Sequence, residues 1–246
     1  MLDVRRHRLR EREPIHLRSL PDYAGQAGSF HIPRLEVLRL GRKLYSEVWE
    51  YQKVLVAQRK QQLIPDTLIL VEHEPVYTLG RNGDEDHLLQ SRRREIPVFR
   101  VERGGNITYH GPGQLVAYPI LDLHGHRLSI SWYMRALEEV LIRTTAHFGL
   151  TAVRREGVTG VWVDDQKIAS LGVRMARWVS MHGFALNVNT DLSYFDGIIP
   201  CGIFECGVTS IERLIGAKQS LNAVETVVEN QFREIFSFGR KVKTEE

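Results

Sequence analysis

Cysteine is scarce in this chain of 246 residues, which holds only Cys201 and Cys206. Two thiols cannot staple a disulfide-dense secreted scaffold. Their separation lacks CxxC spacing and no histidine pattern nearby completes four ligands, so no metal site is expected. Long apolar runs are missing as well. None approaches the ~18 residues of a membrane span, and the first residues carry no apolar stretch of the secretory kind. The expectation is a cytoplasmic protein with no membrane span. Charge of one sign is also absent: 33 basic residues against 30 acidic ones leave +3. The basic residues are spread along the chain, so nucleic acid is not expected as a partner. Apolar residues at 43% suffice for a sizeable core.

Lysine is rare where arginine is plentiful. The lysines are Lys43, Lys53, Lys60, Lys167, Lys218, Lys241 and Lys243, and between positions 61 and 217 Lys167 stands alone. An ammonium can give up its proton and a guanidinium cannot. A lone lysine in an arginine-rich stretch therefore marks a candidate for proton chemistry, against the plainer reading of a surface cation.

Residues 1–30 differ from the rest. Arg5, Arg6, Arg8, Arg10, Arg12 and Arg18 alternate with Asp3, Glu11, Glu13 and Asp22, and few apolar residues are left to pack. This reads as a solvated extension; its four acids argue against a transit peptide. Residues 31–246 read as the globular part. A helix is expected over 41–62 and strands over 67–72, 76–79, 97–101 and 115–120, with 84–94 exposed. A helix capped by Ser129 or Ser131 should end at Gly149. A hairpin is expected over 157–173, then a strand over 179–188 and a C-terminal helix through Leu221, Val224, Val228, Phe232 and Ile235. The order implies one α+β domain, a central mixed sheet flanked by helices.

Three segments carry chemistry. Residues 103–114, RGGNITYHGPGQ, hold four glycines and a proline. That density disfavours regular structure and lets backbone N–H groups approach a ligand, while Arg103, Thr108, Tyr109, His110 and Gln114 supply polar groups. The spacing matches neither a P-loop nor a dinucleotide fingerprint. In KIASLGV, strand alternation sets Lys167, Ala169 and Leu171 on one face; a solvated edge lysine is the competing reading. In IIPCG, Cys201 sits between proline and glycine, a turn setting that suits an accessible thiol rather than a packed one. Cys206 is the rival thiol. His124 and His126 flank a glycine in what reads as a solvated loop. Lysine, turn cysteine and Gly-rich loop together suggest covalent acyl chemistry. The residues do not name the acyl group.

Five blocks then resemble the lipoyl(octanoyl) transferases: PDTLILVEHEPVYTLGR (65–81), RGGNITYHGPGQLVAYPI (103–120), KIASLGVR (167–174), HGFALNVNTDL (182–192) and IIPCGI (198–203). They occur in the family's order and the likeness spans about 38–232. The resemblance implies the fold of biotin and lipoate protein ligases. It implies octanoyl transfer from octanoyl-acyl carrier protein to a lysine of lipoyl domains, as in 2-oxo acid dehydrogenases and the glycine cleavage H protein. No cofactor is implied, because a thioester donor is already activated. The resemblance makes Cys201 the thioester-forming residue, and Lys167 the group that lowers its pKa and moves protons. It assigns substrate contacts to Arg103, Gly104, Gly105, Asn106, Ile107, Thr108, Tyr109 and His110, to Ser170, Leu171 and Gly172, and to Gly183, Phe184 and Ala185. Leu171, Phe184 and Ala185 are the expected walls of an octanoyl slot. The alternatives are an ATP-dependent lipoate or biotin ligase, a non-catalytic acyl-binding protein on the same fold, and a thiol hydrolase with His110 or His182 as base.

Overall fold

Alternation of apolar side chains on three neighbouring strands sets up two cores at once. The structure, a computed structural model, describes residues 34–199 and 207–239. The extension over residues 1–30 and both cysteines lie outside the described residues. The three strands are β2 (Asp66–His73), β6 (Gln114–Ile120) and β10 (Val179–Asn187). Leu68, Leu70, Leu115, Ala117, Phe184 and Leu186 point into one core, whereas Ile69, Val71, Val116, Tyr118, Ile120 and Ala185 point into the other. A sheet buried on both faces reads as continuous apolar runs, which is how these segments read.

The large sheet runs β1 (Leu35–Lys43), β2, β6, β10, β9 (Gln166–Ala176), β8 (Val158–Val163) and β7 (Val153–Arg155). The β1–β2 pair is parallel, and every pair from β2 to β7 is antiparallel. The two-residue β11 (Gly207–Val208) pairs in parallel with Gln166 and Lys167 of β9, where β10 has ended. The sheet is therefore mixed and the domain α+β, as expected. A second sheet joins β4 (Val98–Arg100), β3 (Val76–Leu79) and β5 (Ile107–His110).

Helix α1 (Tyr45–Lys60) makes the crossover between β1 and β2 and covers one face through Tyr45, Val48, Leu55 and Val56. Helices α2 (Ile130–His147) and α4 (Leu221–Ile235) cover the other through Tyr133, Leu137, Leu141, Val224, Val228 and Phe232. The short α3 (Ile211–Ile215) precedes α4. Ser129 is the cap of α2, its hydroxyl accepting from Trp132 N, and Gly149 follows at φ +76°.

Several expectations need correction. The helix expected from 41 begins at Tyr45, because residues 35–43 form β1; a register slip between Arg39 and Arg42 breaks the alternation that would have revealed it. The Gly-rich segment is not wholly irregular: Ile107–His110 are β5, paired with β3. His126 does not lie in solvent. Its side chain is 4% exposed and its Nε2 bonds Asp66 Oδ2 at 2.8 Å, while His124 stays 58% exposed. Among the described residues no cluster of side chains suits a metal ion.

Phe232 is completely buried, its ring stacked on Phe236 at 4.4 Å between centroids. Phe232→Ala should destabilise the fold by about 3–5 kcal/mol, read as a lower urea midpoint with the slope unchanged.

Candidate active site

Between the two sheets lies an open cleft. Strand β5 and the loop before it form one wall; β6, β9 and β10 form the floor; Tyr45 at the start of α1 closes a side. Every substrate-contact residue expected from sequence lines this cleft except Gly104 and Tyr109.

Tyr109 is buried elsewhere. Its ring stacks on Tyr194 at 4.5 Å, and the Arg93 guanidinium covers the far face of that tyrosine at 3.9 Å. Tyr77 donates to Tyr194 O at 2.8 Å. Tyr109 therefore anchors the short 3-10 helix Leu192–Gly197, just ahead of IIPCG. Residues 84–94 join this anchor: Leu89 N donates to Gly197 O, and Ile199 N to His87 O. His87 in turn pairs with the Asn106 amide at 2.8 Å.

All three expected apolar walls line the cleft. Leu171 and Phe184 face each other across the β9–β10 pair and also pack with the α2/α4 core, whereas Ala185 packs on the α1 side with Val116 and Tyr118.

Arg103 is 8% exposed, its Nη2 donating to Thr78 O at 2.7 Å and Thr78 Oγ1 at 2.9 Å. Thr78 Oγ1 meets His110 Nε2 at 3.4 Å, and His110 Nδ1 meets Gln114 Oε1 at 2.7 Å. Because Gln114 Nε2 donates to Asn187 Oδ1 at 2.9 Å, its Oε1 is the acceptor, so the His110 proton sits on Nδ1. His73 Nδ1 donates to Lys43 O and its Nε2 accepts from the Tyr118 hydroxyl at 2.8 Å. Burial lowers His110 to about 3 and His73 to about 4.

His182 was weighed in sequence only as a hydrolase base. Its backbone is left-handed at φ +60°, inside a strand. Such a conformation costs a non-glycine residue of order 1–2 kcal/mol. The turn takes its ring out of strand alternation and into the cleft, near Tyr118, and its N–H is met by Gln52 Oε1 of α1 at 3.0 Å. The next residue must be glycine, since a Cβ at Gly183 would lie 2.2 Å from Ala117 O. Burial lowers the His182 pKa to about 4, opposed by Glu102 at 3.9 Å.

Lys167 does not line the cleft. It is 4% exposed, so the solvated-edge reading is excluded, and its Nζ lies 4.7 Å from the Trp162 ring centroid. Gly160, at φ +140°, makes room for it: a Cβ there would stand 3.0 Å from Lys167 Cε. The described chain resumes at Gly207, paired with Gln166 beside it, and Thr209 N donates to Lys167 O.

The lipoyl protein ligase A/B catalytic domain family matches residues 44–233. An octanoyltransferase of Rubrobacter xylanophilus is 49% identical over 213 residues, covering 82% of this chain and 93% of that relative. One of Gloeobacter violaceus is 48% identical over 193 residues, with 78% and 86% covered. The chain belongs to the octanoyltransferase family. In fold, the chain is similar to a putative lipoate protein ligase from T. acidophilum, with TM-score 0.63, 15% identity and coverage of 82% and 85%. A biotin protein ligase from Aquifex aeolicus, bound to biotin and ATP, gives TM-score 0.50 at 12% identity, with 82% and 70% covered. Tyr45, Val116, Tyr118 and His182 are the lining residues that sequence reasoning missed. Only Tyr45 falls outside the family blocks, and as the first helical residue of α1 it carried no signal.

The three depressed imidazoles set a pH dependence. Each folded-state pKa lies below the ordinary 6.5, so the unfolded chain binds more protons between about 4 and 6.5, and stability rises with pH there. The urea midpoint should fall as pH drops from 7 to 5, and His73→Gln should flatten that fall; equal slopes in the two proteins would refute the assignment.

Proposed function

We propose that this protein transfers octanoyl from octanoyl-acyl carrier protein, through a thioester on Cys201, to a lysine of lipoyl domains such as those of 2-oxo acid dehydrogenases and the glycine cleavage H protein. The observation that carries the reading is the cleft. It is closed by the Gly-rich loop and floored by the β9–β10 pair, in a chain whose relatives are octanoyltransferases over most of its length. A cytoplasmic setting goes with this reading, and among the described residues no helix is long and apolar enough to cross a membrane.

In this mechanism the Cys201 thiolate attacks the carbonyl carbon of the carrier-bound octanoyl thioester. A C–S bond forms, the bond to the phosphopantetheine sulfur breaks, and that sulfur takes a proton. The acceptor's lysine amine then attacks the Cys201 thioester, forming the amide and returning the thiol. Neither half needs ATP, since one thioester is exchanged for another before the amide forms. Lys167 serves as the ammonium that holds Cys201 as thiolate and as the proton shuttle; its burial beside Trp162 supports a role other than solvation. The carboxylate-rich carrier protein docks by charge, and Arg92, Arg93 and Arg94 are the proposed partners. Arg93 and Arg94 are exposed, Arg93 lying over the Tyr194 ring, and Arg92 is half-buried.

The deciding experiment is intact-protein mass spectrometry after mixing with octanoyl-acyl carrier protein, without ATP, beside Cys201→Ala and Cys206→Ala. One octanoyl adduct should form on wild type and on Cys206→Ala, fail to form on Cys201→Ala, and clear when a lipoyl domain is added. Transfer that requires ATP and free fatty acid would make the protein a ligase instead. Iodoacetamide should alkylate Cys201 faster in wild type than in Lys167→Ala; equal rates would remove the coupling of lysine to thiol.

A further inference from the structure

The β9–β10 floor of the cleft has two distinct ends. Its lining begins at Ser170 and Ala185, on the side of Lys167, and stops at Gly172 and His182. His182 pairs with Val173. From Ser170 to Val173 is about 10 Å of extended strand, and an extended octanoyl chain, seven C–C bonds of about 1.5 Å, spans about 9 Å.

The residue at that far end is unusual in two independent ways. Its left-handed backbone swings the ring across the floor instead of letting it follow the strand. The ring is also 1% exposed, and neither nitrogen has a hydrogen-bond partner among the described residues. Around it stand Tyr118, Gln52 through the backbone, and Glu102 at 3.9 Å. Buried polar atoms without partners are rare in native proteins and ask for a reason.

We propose that His182 is the specificity-determining residue that ends the acyl channel and limits the chain to about eight carbons. This rests on the octanoyl-transfer reading, with the carbonyl at the Lys167 end. The ring acts as a stop in two respects. It fills the space that a ninth and tenth carbon would need. Its nitrogens also make that space a poorer one for hydrocarbon than an apolar wall would be, because a methylene there meets polar atoms that it cannot satisfy. A purely apolar stop would discriminate by volume alone and would yield more easily to a flexible chain.

The test is a chain-length series. Initial rates of enzyme acylation from acyl-carrier proteins bearing eight, ten and twelve carbons are read by intact mass for wild type, His182→Gly and His182→Asn. Glycine and asparagine both tolerate a positive φ, and circular dichroism with a thermal melt checks that each variant is folded. Wild type should lose about tenfold or more in rate from eight to ten carbons. His182→Gly should erase most of that loss, and His182→Asn should fall between. The ratio of rates is unaffected by a general loss of activity, so a merely structural role would not move it. A folded His182→Gly with the wild-type ratio would overturn the inference while leaving octanoyl transfer intact, as would a wild type that takes all three chains equally. A wild type acylated by no chain would overturn the transfer reading itself and this inference with it.

Discussion

The path of β10 is the constraint on which the rest of the molecule depends. It lies between β6 and β9, hydrogen-bonded on both edges and buried along its whole length. One left-handed residue, His182, interrupts the alternation, and the pairing with β6 extends only from Phe184 to Asn187. Beyond that point α1 supplies what the strand gives up, through the Gln52 side chain. A local failure of sheet regularity thus brings the His182 ring to the cleft, and the packing of α1 meets the backbone group it frees.

A second constraint ties the cleft to Lys167. His110 bonds Gln114, Gln114 bonds Asn187, Asn187 Nδ2 donates to Thr209 O at 3.0 Å, and Thr209 N donates to Lys167 O at 3.0 Å. The chain of bonds crosses β5, β6, β10 and the residue after β11, all of it buried. Each donor and acceptor along it has its proton position fixed by the next, which favours a single arrangement over alternatives. The Gly-rich loop and the lysine strand, some 60 residues apart in sequence, are held in one frame by side-chain amides rather than by apolar packing. This gives Gln114 and Asn187 structural reasons for being amides: a carboxylate at either place would lose the donor that the next acceptor needs.

Much of this was legible in the sequence, and the failures have physical causes. Apolar runs at 67–72 and 115–120 and the alternating 157–173 hairpin were plain because period and burial agreed. β1 was missed because its register slips, and β5 because glycine density hides a strand that only pairing with β3 creates. The cleft residues came largely from the family blocks, while the residues alone pointed to a loop, a lysine and a thiol. Phe184 and Leu171 line the cleft as expected, but that they also pack into the α2/α4 core was not legible, because sequence says which residues share a face and not what that face meets. Tyr109 lies outside the cleft lining and stacks on Tyr194, a contact that only the fold brings about. His182 was weighed only as a hydrolase base, since nothing in the letters announces a positive φ at a histidine or its place in the cleft lining.

The choice of lysine at 167 follows from the same geometry. The side chain is buried beside Trp162 and reaches past Gly160, where an added Cβ would stand 3.0 Å from Lys167 Cε. A guanidinium is broader and planar, and its five donors would each need an acceptor in this space. An ammonium is compact and, over an indole face, keeps part of the attraction it loses by leaving water. Arginine elsewhere in the chain does ordinary surface and ion-pair work, at Arg39, Arg143 and Arg154 for example. Position 167, buried beside an indole ring where a compact ammonium suits the space, is the one place between residues 61 and 217 where the sequence departs from its preference for arginine.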